Sequence, residues 1–205
     1  MNRPAKAALL VVGAVAAGAV WWRRNPSACP YSQRFWVEAP HPFITRERLR
    51  EALGEISGRR VLEVGPGTGY YTLPVAEWIG PDGRLDVFDL QQEMLDHTMR
   101  RAGEAGLGHV HPSQGDARTL PYEDATFDAA YLVTVLGEVP DQAQALRELR
   151  RVLRPGGRLV VGELWGDPHV VTAGRLRERA EAAGFAWERR VGPAIGFFAV
   201  LRAEG

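Results

Sequence analysis

The stretch RVLEVGPGTGYY, residues 60–71, constrains the fold of this chain more than any other. Its first half, residues 61–64, is short and mostly apolar, which predicts a buried strand. Three glycines follow at alternate positions: Gly65, Gly67 and Gly69. Residues 71–79 then have the composition of a helix. A strand that turns through glycine into a helix leaves backbone N–H groups unpaired at the helix start, which predicts a site for a negatively charged or nucleotide-like ligand.

The glycine spacing distinguishes between nucleotide ligands. The dinucleotide fingerprint is G-x-G-x-x-G, in which the third glycine allows helix and strand to pack closely near the pyrophosphate. Here Tyr70 stands where that fingerprint needs its third glycine. Glu63, two residues before Gly65, would repel a pyrophosphate and suits a ligand that carries an ammonium group.

Strands and helices alternate along the rest of the chain. Short apolar runs predict strands at residues 84–89, 110–113, 127–135, 159–164, 185–191 and 197–202. Amphipathic runs and capping residues predict helices at residues 46–56, 71–79, 92–105, 141–153 and 172–184. This order predicts the α/β class, with a Rossmann-like, doubly wound and mostly parallel sheet that contains one antiparallel strand near the C-terminus.

Two aspartates stand where predicted strands end, at the edge where ligands of such sheets bind. Asp89 closes the second strand, 20 residues after Gly69, and its carboxylate can accept hydrogen bonds from both hydroxyls of a ribose. Asp116 follows the third strand and can accept a hydrogen bond from an exocyclic amine, although an Asp-initiated turn is the structural alternative. Three further residues complete the predicted site: Leu90, Ala117 and Thr134.

Three stretches of this chain carry motifs that resemble those of a known enzyme family. The EVGPGTG stretch that begins at Glu63 resembles motif I of the class I S-adenosylmethionine-dependent methyltransferases. The GDA and LP motifs within residues 115–121 and the run LRELRRVLRPGGRL at residues 146–159 resemble later motifs of the same family. The resemblance covers about residues 58–203 and is closest to the small-molecule branch that includes quinone-biosynthesis methyltransferases.

The resemblance implies S-adenosylmethionine as the cofactor. By that resemblance the glycines of residues 65–69 lie beside the methionine part of the cofactor, and Glu63 orders the loop near its amino group. By the same resemblance, Asp89 binds the ribose and Asp116 binds the adenine. Many relatives cover the substrate with an insertion after strand five, where this chain has only residues 165–171. The substrate side is therefore expected to be open, or covered by residues 31–43.

The N-terminus carries an apolar run, AALLVVGAVAAGAVWW at residues 7–22, with basic residues on both sides. Three interpretations compete: a cleaved secretory signal, a soluble helix packed on the domain, and an uncleaved membrane anchor. We favour the anchor, because the run is apolar all round and interfacial tryptophans and arginines can extend a short span. The expected division is an apolar helix and anchor at residues 1–24, a connector at 25–44 and a methyltransferase domain at 45–205, on the cytoplasmic face of the inner membrane.

Composition limits the remaining possibilities. The formal net charge is zero, so bulk electrostatics predict no nucleic-acid partner. Cys29 is the only cysteine and cannot form an internal disulfide or a cysteine metal cluster. No spacing of His, Asp or Glu resembles a metal site, so we predict none. The oligomeric state is left open.

Catalytic residues are the least determined part of the prediction. Methyl transfer from a sulfonium depends mainly on positioning and needs a general base only if the acceptor must lose a proton. The candidates for that base are His169, His41, Tyr70 or Tyr71, and Glu138, and none is assigned. The favoured function is a methyltransferase for a small lipophilic substrate or lipid at the membrane. The alternatives are a non-catalytic S-adenosylmethionine-binding module and a NAD-type oxidoreductase, which Tyr70 and the final hairpin disfavour.

Overall fold

The computed structural model describes residues 26–38 and 41–205. The apolar helix and anchor predicted within residues 1–24, including the run at 7–22, lie outside the described residues. Within the part of the chain that the structure describes, no helix has both the length and the apolar character that crossing a bilayer requires.

In the described residues, seven strands form a single mixed sheet. They are β1 (Arg60–Val64), β2 (Arg84–Asp89), β3 (Val110–Gln114), β4 (Phe127–Val133), β5 (Leu153–Leu164), β6 (Phe185–Val191) and β7 (Gly196–Ala203). Their order across the sheet is β3-β2-β1-β4-β5-β7-β6. β1 to β5 pair in parallel, and β7 runs antiparallel to both β5 and β6. The predicted fold class is therefore confirmed, and the winding direction switches between β1 and β4, where ligands of such sheets bind.

Helices cover both faces of this sheet. They are α1 (Phe35–Glu38), α2 (Arg46–Leu53), α3 (Thr72–Ile79), α4 (Gln92–Glu104), α5 (Gln142–Val152) and α6 (Ala173–Ala182). Thr45 caps α2 by accepting a hydrogen bond from the Arg48 N–H at 3.4 Å, and Asp141 caps α5 by accepting one from the Gln144 N–H at 2.9 Å. α2 ends earlier than its apolar periodicity predicts, because Gly54 adopts a φ of 68° that leaves the helical region.

The core consists of two apolar layers, one on each side of the sheet. Val61, Val87 and Tyr131 point to the layer formed with α2, α3 and α4, where all three are buried. Leu62 and Phe88 point to the opposite layer, formed with α5 and α6. Successive strand residues face opposite sides, and a parallel sheet covered on both sides buries both sets. Each fully buried large side chain contributes roughly 1.5–3 kcal/mol, so the sheet holds its strand ends in fixed positions.

β5 begins earlier than expected. The segment at residues 154–158 is predicted to be a turn before the strand, but it is an irregularity within β5, opposite a register shift in β4 between Phe127 and Ala129. Gly157 permits this, since a Cβ there would lie 2.8 Å from the Arg154 carbonyl oxygen. The strand itself continues to Leu164 as predicted.

Candidate functional site

A cavity of about 320 Å³ opens at the carboxyl edge of β1, β2 and β4. Most residues of the predicted cofactor site line it: Gly65, Gly67, Asp89, Leu90, Asp116, Ala117 and Thr134. Two predicted residues, Glu63 and Gly69, do not belong to its lining. Segments that are far apart in the sequence therefore converge on one volume, as the sheet topology requires, although contact with a cofactor remains a prediction for each residue.

The glycine loop has the backbone conformation that its composition predicts. Gly65, Gly67 and Gly69 have φ values of 72°, 56° and 84°, in the left-handed region that favours glycine. A Cβ on Gly65 would lie 2.3 Å from Cγ2 of Val135, so this position also lacks space for a side chain. The Thr98 hydroxyl of α4 donates a hydrogen bond to the Gly67 carbonyl at 3.0 Å and holds the loop in place.

Glu63 lies beneath this loop. Its side chain is buried, and its Oε2 accepts a hydrogen bond of 2.5 Å from the hydroxyl of Thr72 at the start of α3. Burial raises the pKa of Glu63 to about 7. Glu63 thus connects β1 to α3 across the loop, and its role near the cofactor's amino group stays a prediction.

Asp89 closes β2 at the cavity wall and is almost fully buried. Its Oδ1 accepts a hydrogen bond of 2.8 Å from the Gln91 N–H. Burial raises the pKa of Asp89 to about 6, against the opposing effect of hydrogen bonds from the backbone of Gln91, Gly67 and Leu90. The carboxyl therefore faces both its own turn and the glycine loop.

Asp116 lies at the β3 end of the cavity. The Arg118 guanidinium donates to both of its oxygens, at 2.6 Å from Nη2 and 3.0 Å from Nε, and these hydrogen bonds lower the pKa of Asp116. The Arg118 N–H also donates to Oδ1 at 2.9 Å, so the Asp-initiated turn is present as well. Asp116 serves this turn and still lines the cavity.

Thr134, directly after β4, has a φ of 56°, which is unusual for a residue with a branched side chain. Its hydroxyl donates to the Val133 carbonyl at 2.8 Å, and its N–H donates to the Gly162 carbonyl at 2.8 Å. Strained backbone of this kind costs of order 1–3 kcal/mol and clusters at functional sites, where the surrounding structure enforces it.

The connector covers the cavity in a place that sequence reasoning did not predict. Its first described residues line the cavity: Pro26, Ser27, Ala28 and Cys29. Gln91 holds this segment with its side-chain amide, which donates to the Cys29 carbonyl at 2.9 Å and accepts from the Tyr31 N–H at 3.2 Å. The Tyr31 hydroxyl also forms a 3.1 Å hydrogen bond with Nδ1 of His97. Residues 26–29 therefore line the cavity and Tyr31 helps to hold them, whereas no described residue of 31–43 belongs to the lining. Whether the substrate side is open or covered by residues 31–43 stays a prediction.

Four of the candidate bases, Tyr70, Tyr71, His41 and His169, are not among the described residues that line the cavity, although His169 packs against Gly137, the neighbour of Glu138. Tyr71 is buried, and its hydroxyl donates to the Ile44 carbonyl at 2.5 Å. His41 packs edge-on against Tyr70, with ring centroids 5.3 Å apart, and burial lowers its pKa. The His169 N–H donates to Oδ1 of Asp167 at 2.7 Å. None of Tyr71, His41 and His169 belongs to the cavity lining formed by the described residues, whereas Glu138 does.

Comparison with known proteins agrees with this geometry. Residues 61–157 match the family model described as a methyltransferase domain. An uncharacterized 37.1 kDa protein of transposon Tn4556 from Streptomyces fradiae is 44% identical over 115 residues, which cover 56% of this chain and 33% of that protein. The demethylmenaquinone methyltransferase of Lactococcus lactis is 32% identical over 117 residues, covering 57% of this chain and 46% of the relative. The matched region thus spans less than half the length of either relative.

The fold has a close structural counterpart. The crystal structure of a SAM-dependent methyltransferase from Aquifex aeolicus superposes with a TM-score of 0.78, covering 85% of this chain and 98% of that one at 22% identity. That likeness concerns the fold, while the match over residues 61–157 concerns the sequence of the glycine loop and the strands beside it. In sequence, residues 61–157 therefore match a methyltransferase domain, and the fold around them is that of the class I S-adenosylmethionine-dependent methyltransferases.

Proposed function

We propose that this protein transfers a methyl group from S-adenosylmethionine to a small lipophilic acceptor of the quinol type at a membrane. The observation that carries the proposal is the single cavity that joins the glycine loop after β1 with Asp89 after β2 and Asp116 after β3. β3, β2 and β1 are neighbours in the sheet, so these groups form a continuous row.

The residues of this row suit the family's cofactor. Gly65 and Gly67 present backbone without side chains, Asp89 offers a carboxyl to the ribose hydroxyls, and Asp116 offers one to the adenine amine. A cavity of about 320 Å³ lies within the usual range for small-molecule sites. When bound, S-adenosylmethionine supplies a methyl group that its sulfonium makes electrophilic. The protein's part is to hold the acceptor in line with that group and to exclude water.

Apolar walls favour a lipophilic acceptor. On the β4 side the cavity is lined by Val133, Val135 and Val139, and Met94 of α4 contributes from the opposite side. The Lactococcus lactis relative is named a demethylmenaquinone methyltransferase, which supports a quinol as the acceptor class. The acceptor would enter beside residues 26–29.

Exposed apolar side chains support a membrane-facing edge. The large apolar residues that stand out from the described surface are Phe35, Leu90, Trp165 and Ile195, exposed by 57%, 56%, 71% and 44%. Leu90 follows β2, Trp165 follows β5 and Ile195 precedes the antiparallel β7, so these three lie at the carboxyl edge, as the cavity does. The apolar run at residues 7–22 ends four positions before Pro26 of the cavity lining, a distance of at most about 14 Å. An anchor there would hold the cavity near the cytoplasmic face of the membrane.

The proposal is tested in two steps with the full-length protein. Calorimetry should first show that S-adenosylhomocysteine binds and that NADH does not. Incubation with methyl-labelled S-adenosylmethionine and either reduced demethylmenaquinone or a membrane lipid extract should then give a labelled organic product. Tight binding without a labelled product would favour a non-catalytic binding module, and binding of NADH instead would favour an oxidoreductase.

A further inference from the structure

The cavity continues beyond the nucleoside row toward β4 and β5. Asp116 lies at its β3 end, whereas Glu138 lines it from the 3₁₀ turn Leu136–Glu138, which follows β4. Three strand spacings, about 14 Å, separate β3 from β4. Glu138 therefore lines the β4 side of the cavity, past the glycine loop, and we take this side as the place where an acceptor would meet the methyl group.

Glu138 is surrounded by acidic and neutral groups. Asp167 and Asp89 repel its charge, and Glu163 lies close enough for Glu138 to repel it in turn. From the connector, the Cys29 backbone N–H faces the Glu138 carboxyl. His169 also faces Asp167, and the Cys29 thiol faces both Glu138 and Asp167. Burial, together with these two acids, raises the pKa of that thiol.

Glu163 of β5 adds an independent sign of incomplete pairing. Its side chain is 1% exposed, and its Oε2 accepts a 2.9 Å hydrogen bond from the Val171 N–H, while its buried Oε1 has no hydrogen-bond partner among the described residues. Burying an oxygen without a hydrogen-bond donor costs free energy. The unpaired Oε1 therefore indicates that a proton or a donor is shared among Glu138, Glu163 and Asp167.

We propose that Glu138 is the catalytic base that removes the proton from the acceptor's hydroxyl group during methyl transfer. This inference rests on the proposed function. Among the other acids of the cavity, Asp116 is paired with Arg118, and Asp89 lies beside the glycine loop in the nucleoside row. The remaining candidates do not belong to the cavity lining that the described residues form: Tyr70, Tyr71, His41 and His169.

The step balances without a further reactant. As the Glu138 carboxylate takes the proton of a phenolic hydroxyl, the O–H electron pair moves into the ring, and the ring carbon beside that hydroxyl forms the new bond to the methyl carbon. The carbon–sulfur bond breaks, its electron pair stays on sulfur, and a neutral thioether leaves. The methylated ring carbon then releases its own proton to solvent, which restores the aromatic ring, and the Glu138 carboxylic acid returns its proton to the phenolic oxygen.

The protonation behaviour of Glu138 fits this role. Burial, aided by repulsion from Asp167 and Asp89, raises the pKa of Glu138 to about 8. A carboxylate that holds protons this strongly is a better base for a phenol than an ordinary glutamate, and it still ionises near physiological pH.

The activity test compares the wild-type protein with Glu138→Gln and Glu138→Asp, and uses Glu77→Gln on the exposed face of α3 as the matched control. With reduced demethylmenaquinone as acceptor, we expect Glu138→Gln to lower kcat by about 100-fold or more, the usual contribution of a general base. Affinity for S-adenosylhomocysteine should stay within about threefold, because Glu138 lies past the nucleoside row. Glu138→Asp should recover part of the rate, and Glu77→Gln should behave as wild type.

A second readout needs no acceptor or cofactor. Because the folded protein raises the pKa of Glu138 to about 8, the wild type should lose thermal stability relative to Glu138→Gln as the pH rises from 6 through about 8 and Glu138 ionises. A melting-temperature difference that does not change with pH would overturn the inference, and so would a Glu138→Gln kcat close to wild type. A wild-type protein that binds S-adenosylhomocysteine but transfers no methyl group would contradict the proposed function and the role of Glu138 with it.

Discussion

At the scale of single residues, Asp89 combines a position in the cavity wall with a raised pKa. It is 8% exposed, and its hydrogen bond to the Gln91 N–H aims the carboxyl along the end of β2. We expect Asp89→Ala to weaken S-adenosylhomocysteine binding by roughly 1–3 kcal/mol, the effect of removing a charged hydrogen-bonding group. Calorimetry measures this, with Asp82→Ala in the exposed turn before β2 as the control. Unchanged affinity in Asp89→Ala would refute the ribose assignment.

The same residue predicts how binding depends on pH. The pKa of Asp89 is raised by burial to about 6, so the ligand-free fold favours the neutral acid and this contribution to stability is lost as the pH rises through that value. Hydrogen bonds from ribose hydroxyls favour the charged form. Affinity for S-adenosylhomocysteine should therefore rise between pH 5 and about 7 in the wild type and change much less in Asp89→Asn. A flat wild-type profile would contradict this prediction.

Gly65 tests the close approach of the loop backbone. Gly65→Ala adds a Cβ 2.3 Å from Val135 at a φ of 72°, so it combines backbone strain with a clash at the cavity. Gly58→Ala is the matched control, since Gly58 has a φ of 68° and open space around its would-be Cβ. Both variants should lose roughly 1–2 kcal/mol of stability from the left-handed conformation. Only Gly65→Ala should also lose cofactor affinity. Calorimetry measures the loss of affinity, and thermal melting measures the loss of stability.

At the scale of secondary-structure elements, the connector and α4 are joined by hydrogen bonds at the wall of the cavity. Gln91, the N-cap residue of α4, forms two hydrogen bonds with the connector, at Cys29 and Tyr31. Bonds of this kind contribute about 0.5–1.5 kcal/mol each. We expect Gln91→Ala to increase hydrogen exchange in residues 26–33 about tenfold and to speed release of S-adenosylhomocysteine. Gln33 is exposed in the same connector, so Gln33→Ala should change neither the hydrogen exchange nor the release rate. Equal hydrogen exchange in the two variants would argue against the role of Gln91 in holding the connector.

The boundaries of the helices and strands show which structural features depend only on residues that are close in the sequence. β2 has the predicted bounds, and Asp141 and Thr45 cap their helices, because apolar runs and capping groups act within a few residues. β5 departs from prediction because its irregular start depends on contacts between Gly157 and distant β4. Errors in the predicted boundaries thus arise where the conformation of a segment depends on a partner that is far away in the sequence.

At the scale of the whole molecule, the exposed apolar residues lie at the edge that carries the cavity. Trp165 and Ile195 are joined by the hydrogen bond from the Trp165 N–H to the Ile195 carbonyl at 2.7 Å. We expect Trp165→Ser to raise the apparent KM about tenfold for a quinol embedded in vesicles and to leave KM unchanged for a short-chain, water-soluble quinol. Trp78→Ser on α3 serves as the control. An equal effect of Trp165→Ser on both acceptors would argue against a membrane-facing edge.

Several features could be determined from the sequence alone. Periodicity predicted the strands and helices, and the spacing from Gly69 to Asp89 predicted that these segments share one edge of a parallel sheet, because a βαβ unit has a nearly fixed geometry. The motif from Glu63 onward indicated the cofactor class. The division into an anchor, a connector and a domain remains a prediction, since its first part lies outside the described residues.

Only the tertiary structure decided which side chains reach the cavity. Tyr71 is next to the glycine loop in the sequence, yet its hydroxyl is bound to the Ile44 carbonyl. Cys29 is 62 residues from Gln91 and nevertheless covers the site. In the sequence Glu138 is one of several candidate bases, and its raised pKa arises from burial and from two acids that are distant in the sequence, Asp167 and Asp89. Secondary structure follows from interactions between near neighbours, whereas burial, charge repulsion and access to a cavity are set by residues that meet only when the chain is folded.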